Sequence, residues 1–187
     1  MLEEASNEIW KRFLSGDNAA YCRLYNEYVQ ILFRYGSRFT SDGELIMDCV
    51  QDLFTALYKN RKRLGHPPAN IKVYLFVSLK NNLMRALTRQ SKYQPVEHEK
   101  NSFLLEPTVE EQFIDNESNR NRQLMVERIL QTLTPRQKEI IYYRYLQELD
   151  FEDICALMNL NYQSAQNLIQ RSIKKIREHF SPDELVE

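Results

Sequence analysis

Apolar residues recur at steps of three and four along much of this chain, a period that buries one side of an α-helix and nothing else. Tyr21, Leu24, Tyr25, Tyr28, Val29, Leu32 and Tyr35 set the rhythm over residues 18–37, and Leu45, Ile46, Cys49, Val50, Leu53, Phe54 and Leu57 repeat it. Ile71, Leu75, Leu79, Leu83 and Leu87 carry it through a third segment that ends near Arg89. Only 4 Gly and 6 Pro occur among 187 residues. Hairpin turns and glycine-rich phosphate loops both need more such backbone, so the expected fold class is all-α.

Charge divides the chain into parts. The formal total is −1, but residues 1–90 carry net +4, residues 91–123 net −3 and residues 124–187 net −2. The acidic middle holds Pro95 and Pro107 and shows little apolar periodicity, as expected of a flexible linker. Two small helical domains are therefore expected over residues 8–92 and 125–181, joined by a linker over 93–124 with a short helical stretch around Val109 to Ile114. Within the first domain, Asp42 and Gly43 mark a turn, and the two prolines of "GHPPAN" stop the helix that runs into "KNRKR".

Side chains for covalent or metal chemistry are scattered. Cys22, Cys49 and Cys155 lie far apart with no CxxC, and His66, His98 and His179 form no HExxH pair. No catalytic residue, metal ligand or cofactor is expected. No apolar run is long enough to span a bilayer, and "MLEEASNEIWKRF" lacks a basic segment followed by an apolar one, so a cytoplasmic protein without membrane insertion is expected.

Three polar faces stand out. On the second helix Asp48, Gln51, Asp52 and Thr55 form a narrow acidic stripe; on the third, Lys80, Asn81, Met84, Arg85 and Arg89 face outward. In the C-terminal domain "LTPRQ" makes a capping box from Thr134 and Gln137, with Pro135 opening a helix that runs to about Gln147. Asp150 caps a short helix, Phe151 to Met158, and Asn159 and Asn161 suit a left-handed C-cap and an N-cap. A long helix follows, with Ala165, Leu168, Ile169, Ser172, Ile173, Ile176 and Phe180 on one face.

A short helix, a three-residue turn and a long helix make a helix-turn-helix. The outer face of the long helix holds Gln163, Ser164, Gln166, Asn167 and Gln170, then Arg171, Lys174 and Lys175. Amides and hydroxyls can read base edges while cations neutralise phosphates. A merely solvated face would ordinarily carry Glu–Lys pairs, and none occurs between residues 163 and 170.

Taken in order, "GDNAAYCRLYNEY", "DCVQDLF", "YLFVSLKNNL", "LTPRQKEIIYYRYLQELDFEDICALMNLN" and "IKKIRE" resemble a bacterial RNA polymerase sigma factor of the extracytoplasmic-function group, the minimal kind with regions 2 and 4. The resemblance implies a subunit without enzymatic activity that binds core polymerase, recognises the minus-ten and minus-thirty-five promoter elements and assists melting. It implies core-polymerase docking through Asp48, Gln51, Asp52 and Phe54, and minus-ten contacts by Arg61, Arg63, Lys80, Asn81, Arg85 and Arg89. Minus-thirty-five contacts fall to Gln163, Ser164, Gln166, Asn167, Arg171, Lys174 and Lys175. It further implies an anti-sigma factor as partner, to which the apolar linker residues Phe103, Leu104, Leu105 and Phe113 could contribute.

The chain departs from the family pattern at Asn159, where glycine is common, at Gln166 and Leu168, where cations are common, and at Arg85, where aspartate is frequent. Tyr74 stands where tryptophan is frequent, and core packing is its expected use. The competing account is a stand-alone helix-turn-helix regulator with an N-terminal sensing domain, which would require a dimer and an apolar ligand pocket. With so little net positive charge, the free chain is expected to bind DNA weakly.

Overall fold

The computed structural model describes residues 2–65, 67–93, 103–105 and 117–180, with side chains placed for 7–65, 67–90, 103–105 and 125–180. The expected stretch at Val109 to Ile114 lies outside them. The chain divides into two compact units, Met1–His98 and Glu99–Glu187.

Four helices build the N-terminal unit: α1 (Leu2–Leu14), α2 (Asn18–Gly36), α3 (Gly43–Asn60) and α4 (Ile71–Tyr93). Asp17 starts α2 by accepting the Ala19 and Ala20 amide protons, and Arg12 clamps the same carboxylate with contacts of 2.9 and 2.6 Å. The guanidinium bond, followed by the Ala20 amide, holds the Asp17 carboxyl below its ordinary pKa. Asp42 and Asn70 supply the corresponding oxygens for α3 and α4 through the Leu45 and Val73 amides.

Helix α2 packs on α1, α3 and α4. Gly36 makes the α2–α3 approach possible, since a Cβ there would sit 2.6 Å from the Ile46 side chain. Tyr35 stacks on Phe76 at 4.0 Å between centroids, and Trp10 meets Phe13 and Tyr74 edge-on. Because α4 touches both α2 and α3, its buried face is wider than a leucine stripe: Val73 and Phe76 are buried and Leu87 only half-buried. The "RKR" after α3 forms a 3-10 turn, Arg61–Arg63, packed on α1 and α3.

The C-terminal unit contains α5 (Glu117–Thr132), α6 (Pro135–Ile141), a π-helical turn (Tyr142–Leu146), α7 (Phe151–Met158) and α8 (Tyr162–His179). Helix α5 thus begins inside the stretch expected as linker. The capping box forms as expected: Thr134 and Gln137 exchange side-chain and backbone bonds at 3.0 and 3.3 Å. The helix expected to run straight to Gln147 changes pitch at Tyr142, where the Gln147 amide bonds back to the Tyr142 carbonyl at 3.0 Å. Within this wider turn the adjacent Tyr142 and Tyr143 are both buried in the core.

Phe103 joins this core, and Leu105 close by is also buried. They are 3% and 7% exposed, and the Phe103 ring lies 5.3 Å from Tyr142 and 6.2 Å from Tyr143. No helix among the described residues is long and apolar enough to cross a membrane.

Candidate nucleic-acid interface

On α3, burial of Cys49, Val50, Leu53 and Leu57 turns Asp48, Gln51, Asp52, Thr55 and Ala56 to solvent as one continuous stripe. Neither carboxylate is engaged by a hydrogen bond or ion pair among the described residues. Burial, then the nearby Asp52 and Asp48, push the Cys49 thiol pKa up, leaving it an inert core group. Phe54 corrects the sequence reading. It is 1% exposed, packed against Tyr21 and Tyr25 with centroids 6.2 and 4.9 Å away, and its carbonyl accepts the Tyr21 hydroxyl. Its ring supports the stripe from beneath and presents no aromatic anchor, because a helix this tightly covered by α2 turns positions 53 and 54 inward together.

On α4, Asn81, Arg85 and Arg89 follow one another at four-residue steps and are exposed. Lys80 is half-buried, with its ammonium 5.9 Å from the Phe39 ring. The other expected cations belong to a different element. Arg61 bends back on α3, its guanidinium 4.5 Å from the Tyr58 ring and donating to the Tyr58 carbonyl, while Arg63 is exposed on the 3-10 turn. The six residues therefore separate into a stripe on α4 and a turn that packs on α1 and α3.

The helix-turn-helix forms as its caps dictate. Asp150 accepts the Asp153 amide, Asn159 adopts φ 50° and ψ 53° as left-handed C-cap, and Asn161 accepts the Ser164 amide at 2.8 Å. Ala165 is fully buried where the two helices meet, and Ser172 is buried with its hydroxyl satisfied by the Leu168 carbonyl.

Outward, the Gln163 amide donates to Asn167 Oδ1 at 3.1 Å, giving a paired polar surface one turn long. Gln163, Gln170, Arg171 and Lys174 are exposed; Ser164, Gln166, Asn167 and Lys175 are half-buried. Lys174 lies 3.7 Å from Glu178, and the Lys175 carbonyl holds the His179 ring. The N-terminal two turns thus offer amides, and the following turns offer cations.

Sequence reasoning passed over a further element of this face. Tyr162, the first residue of α8, is 53% exposed, and its ring lies 5.1 Å from that of Phe151, the first residue of α7. The Arg144 guanidinium sits 5.2 Å from the other ring of the pair, Phe151, while donating to the Leu149 carbonyl. The available signal was an aromatic placed directly after the Asn161 cap, outside the apolar stripe.

Residues 24–93 match the model described as Sigma-70 region 2, and residues 123–176 match Sigma-70, region 4. The chain belongs to the sigma-70 family. It is a sigma factor for transcription initiation, whose regions 2 and 4 serve core RNA polymerase and promoter DNA. Among solved structures, this sigma factor is similar to CnrH in complex with the cytosolic domain of CnrY, at 18% identity and TM-score 0.59, over 93% of this chain and 96% of that one. It is also similar to the sigma factor RpoE in complex with the anti-sigma factor NepR from Bartonella quintana, at 15% identity and TM-score 0.57, over 84% and 94% of the two chains. At these identities the likeness speaks for the fold. No curated protein matches the sequence significantly.

Proposed function

We propose that this sigma factor is of the extracytoplasmic-function kind, a non-enzymatic cytoplasmic subunit built from regions 2 and 4. The carrying observation is the spacing: fewer than thirty residues separate the two family matches, too few for an independently stable domain between them. The exposed carboxylates of α3 dock on a basic surface of core polymerase, where unpaired Asp48 and Asp52 give complementarity and Gln51 a hydrogen bond. The α4 stripe of Asn81, Arg85 and Arg89, with Lys80 beside it, holds the minus-ten strand, the amide reading an extruded base and the cations following phosphates, while Arg61 and Arg63 add phosphate contacts from the separate 3-10 turn. The amide-then-cation face of α8 reads the minus-thirty-five duplex.

An anti-sigma partner is part of the proposal, supported by the NepR complex of the similar RpoE. Of the linker residues that could contribute to it, Phe103 is buried against the C-terminal core, Leu105 is buried, Leu104 is exposed, and Phe113 lies outside the described residues. The test is size-exclusion chromatography of the purified chain with core polymerase: co-elution as a stoichiometric complex is expected, and separate elution at micromolar concentration refutes the assignment.

A further inference from the structure

An aromatic ring left half in water at the tip of a reading helix forfeits much of the burial energy that aromatics ordinarily bring. Tyr162 is such a ring, and it is not loose. Phe151 backs it at 5.1 Å, and the Arg144 guanidinium lies 5.2 Å from the Phe151 ring while bonded to the Leu149 carbonyl. Three side chains from the π-helical turn, α7 and α8 are thus linked through Phe151, and Tyr162 is the exposed member. Gln166 lies one turn further along the same edge of α8, and Gln163 follows Tyr162 directly, so the ring borders the amides that face DNA.

We propose that Tyr162 is a specificity residue that packs against the C5-methyl group of a thymine in the upstream promoter element. The inference rests on the assignment of α8 to that element. In an intact duplex, bases stay stacked, so an aromatic ring has no base face to stack on. The thymine methyl is the apolar group that a base-pair edge exposes in the major groove. An aromatic held rigidly beside two amides therefore adds a contact that amides cannot make, and its preorganisation limits the entropy lost on binding.

The test uses holoenzyme reconstituted with core polymerase and synthetic promoter duplexes in which each upstream thymine is replaced singly by deoxyuridine. Loss of one methyl should weaken binding about fourfold at one position, the worth of one buried methyl group, and leave the others unchanged. Tyr162→Ala should bind the two duplexes equally at that position, Tyr162→Phe should keep the difference, and Gln163→Ala should keep it while weakening upstream selectivity. Phe151→Leu, which removes the backing ring, should reduce the difference. Wild-type selectivity without any methyl dependence, or a methyl dependence unchanged in Tyr162→Ala, overturns the proposal for Tyr162 alone and would assign the exposed ring to a protein partner. Absence of any upstream base selectivity overturns it together with the assignment of α8.

Discussion

The Gln163 side-chain amide donates to Asn167 Oδ1 at 3.1 Å across one turn of α8. Each side chain fixes the other's rotamer, which aims the remaining amide donors and acceptors outward as a unit. Asn167→Ala should therefore disturb Gln163 as well as remove its own contact. A loss of upstream discrimination of about tenfold is expected, the lower part of the range for a bidentate amide–base pair. Combined with Gln163→Ala, the loss should be clearly less than the sum of the two. Competition between cognate and altered promoter duplexes measures both, with core binding unchanged.

The α3 stripe separates docking from folding. Asp48→Lys and Asp52→Lys sit in water with no partner to lose, so stability should stay within about 0.5 kcal/mol while core-polymerase binding collapses. Phe54→Ala should do the reverse in its first effect, destabilising the N-terminal unit by about 3–5 kcal/mol by opening a cavity beneath Tyr21 and Tyr25. Thermal melting alongside a binding titration distinguishes the two behaviours.

Asn159 occupies left-handed backbone at the end of α7. Asn159→Ala should cost about 1 kcal/mol, since Cβ strain is no longer offset by a side chain suited to that conformation. Asn159→Gly should be neutral or stabilising by a few tenths of a kcal/mol. Neither change touches the outer face of α8, so promoter preference should remain that of the wild type; chemical denaturation reads the stabilities.

Phe103 belongs to a polar, acidic stretch, yet it is buried against two tyrosines of the C-terminal unit. Phe103→Ala should destabilise that unit by about 3 kcal/mol. A substitution at exposed Leu104 should be nearly silent. Hydrogen exchange resolved over α6 and α8 would show the first and not the second.

The caps were legible because they are local chemistry: Thr134 with Gln137, Asp150, Asn159 and Asn161 each act within four residues. The same holds for the α3 and α8 faces, which follow from helical period alone. What escaped is decided by tertiary packing. The π-helical turn carries two adjacent core rings, Tyr142 and Tyr143, and the place of Phe103 depends on those rings some forty residues away. Among the described residues of α1, Ile9, Trp10 and Phe13 are the buried signal, and α5 opens with polar turns that imitate a linker. Periodicity had already put Phe54 among the inward residues; the docking role came from resemblance, and burial decides for periodicity.

Promoter-directed initiation is the activity that regions 2 and 4 together must deliver. Core polymerase should be assayed for run-off transcription from a randomised promoter library with and without this chain. Discrete start sites that appear only with the chain, each preceded by two short elements at a fixed separation, are the predicted result. The same start sites with and without it, or starts that share no upstream sequence, would contradict the account.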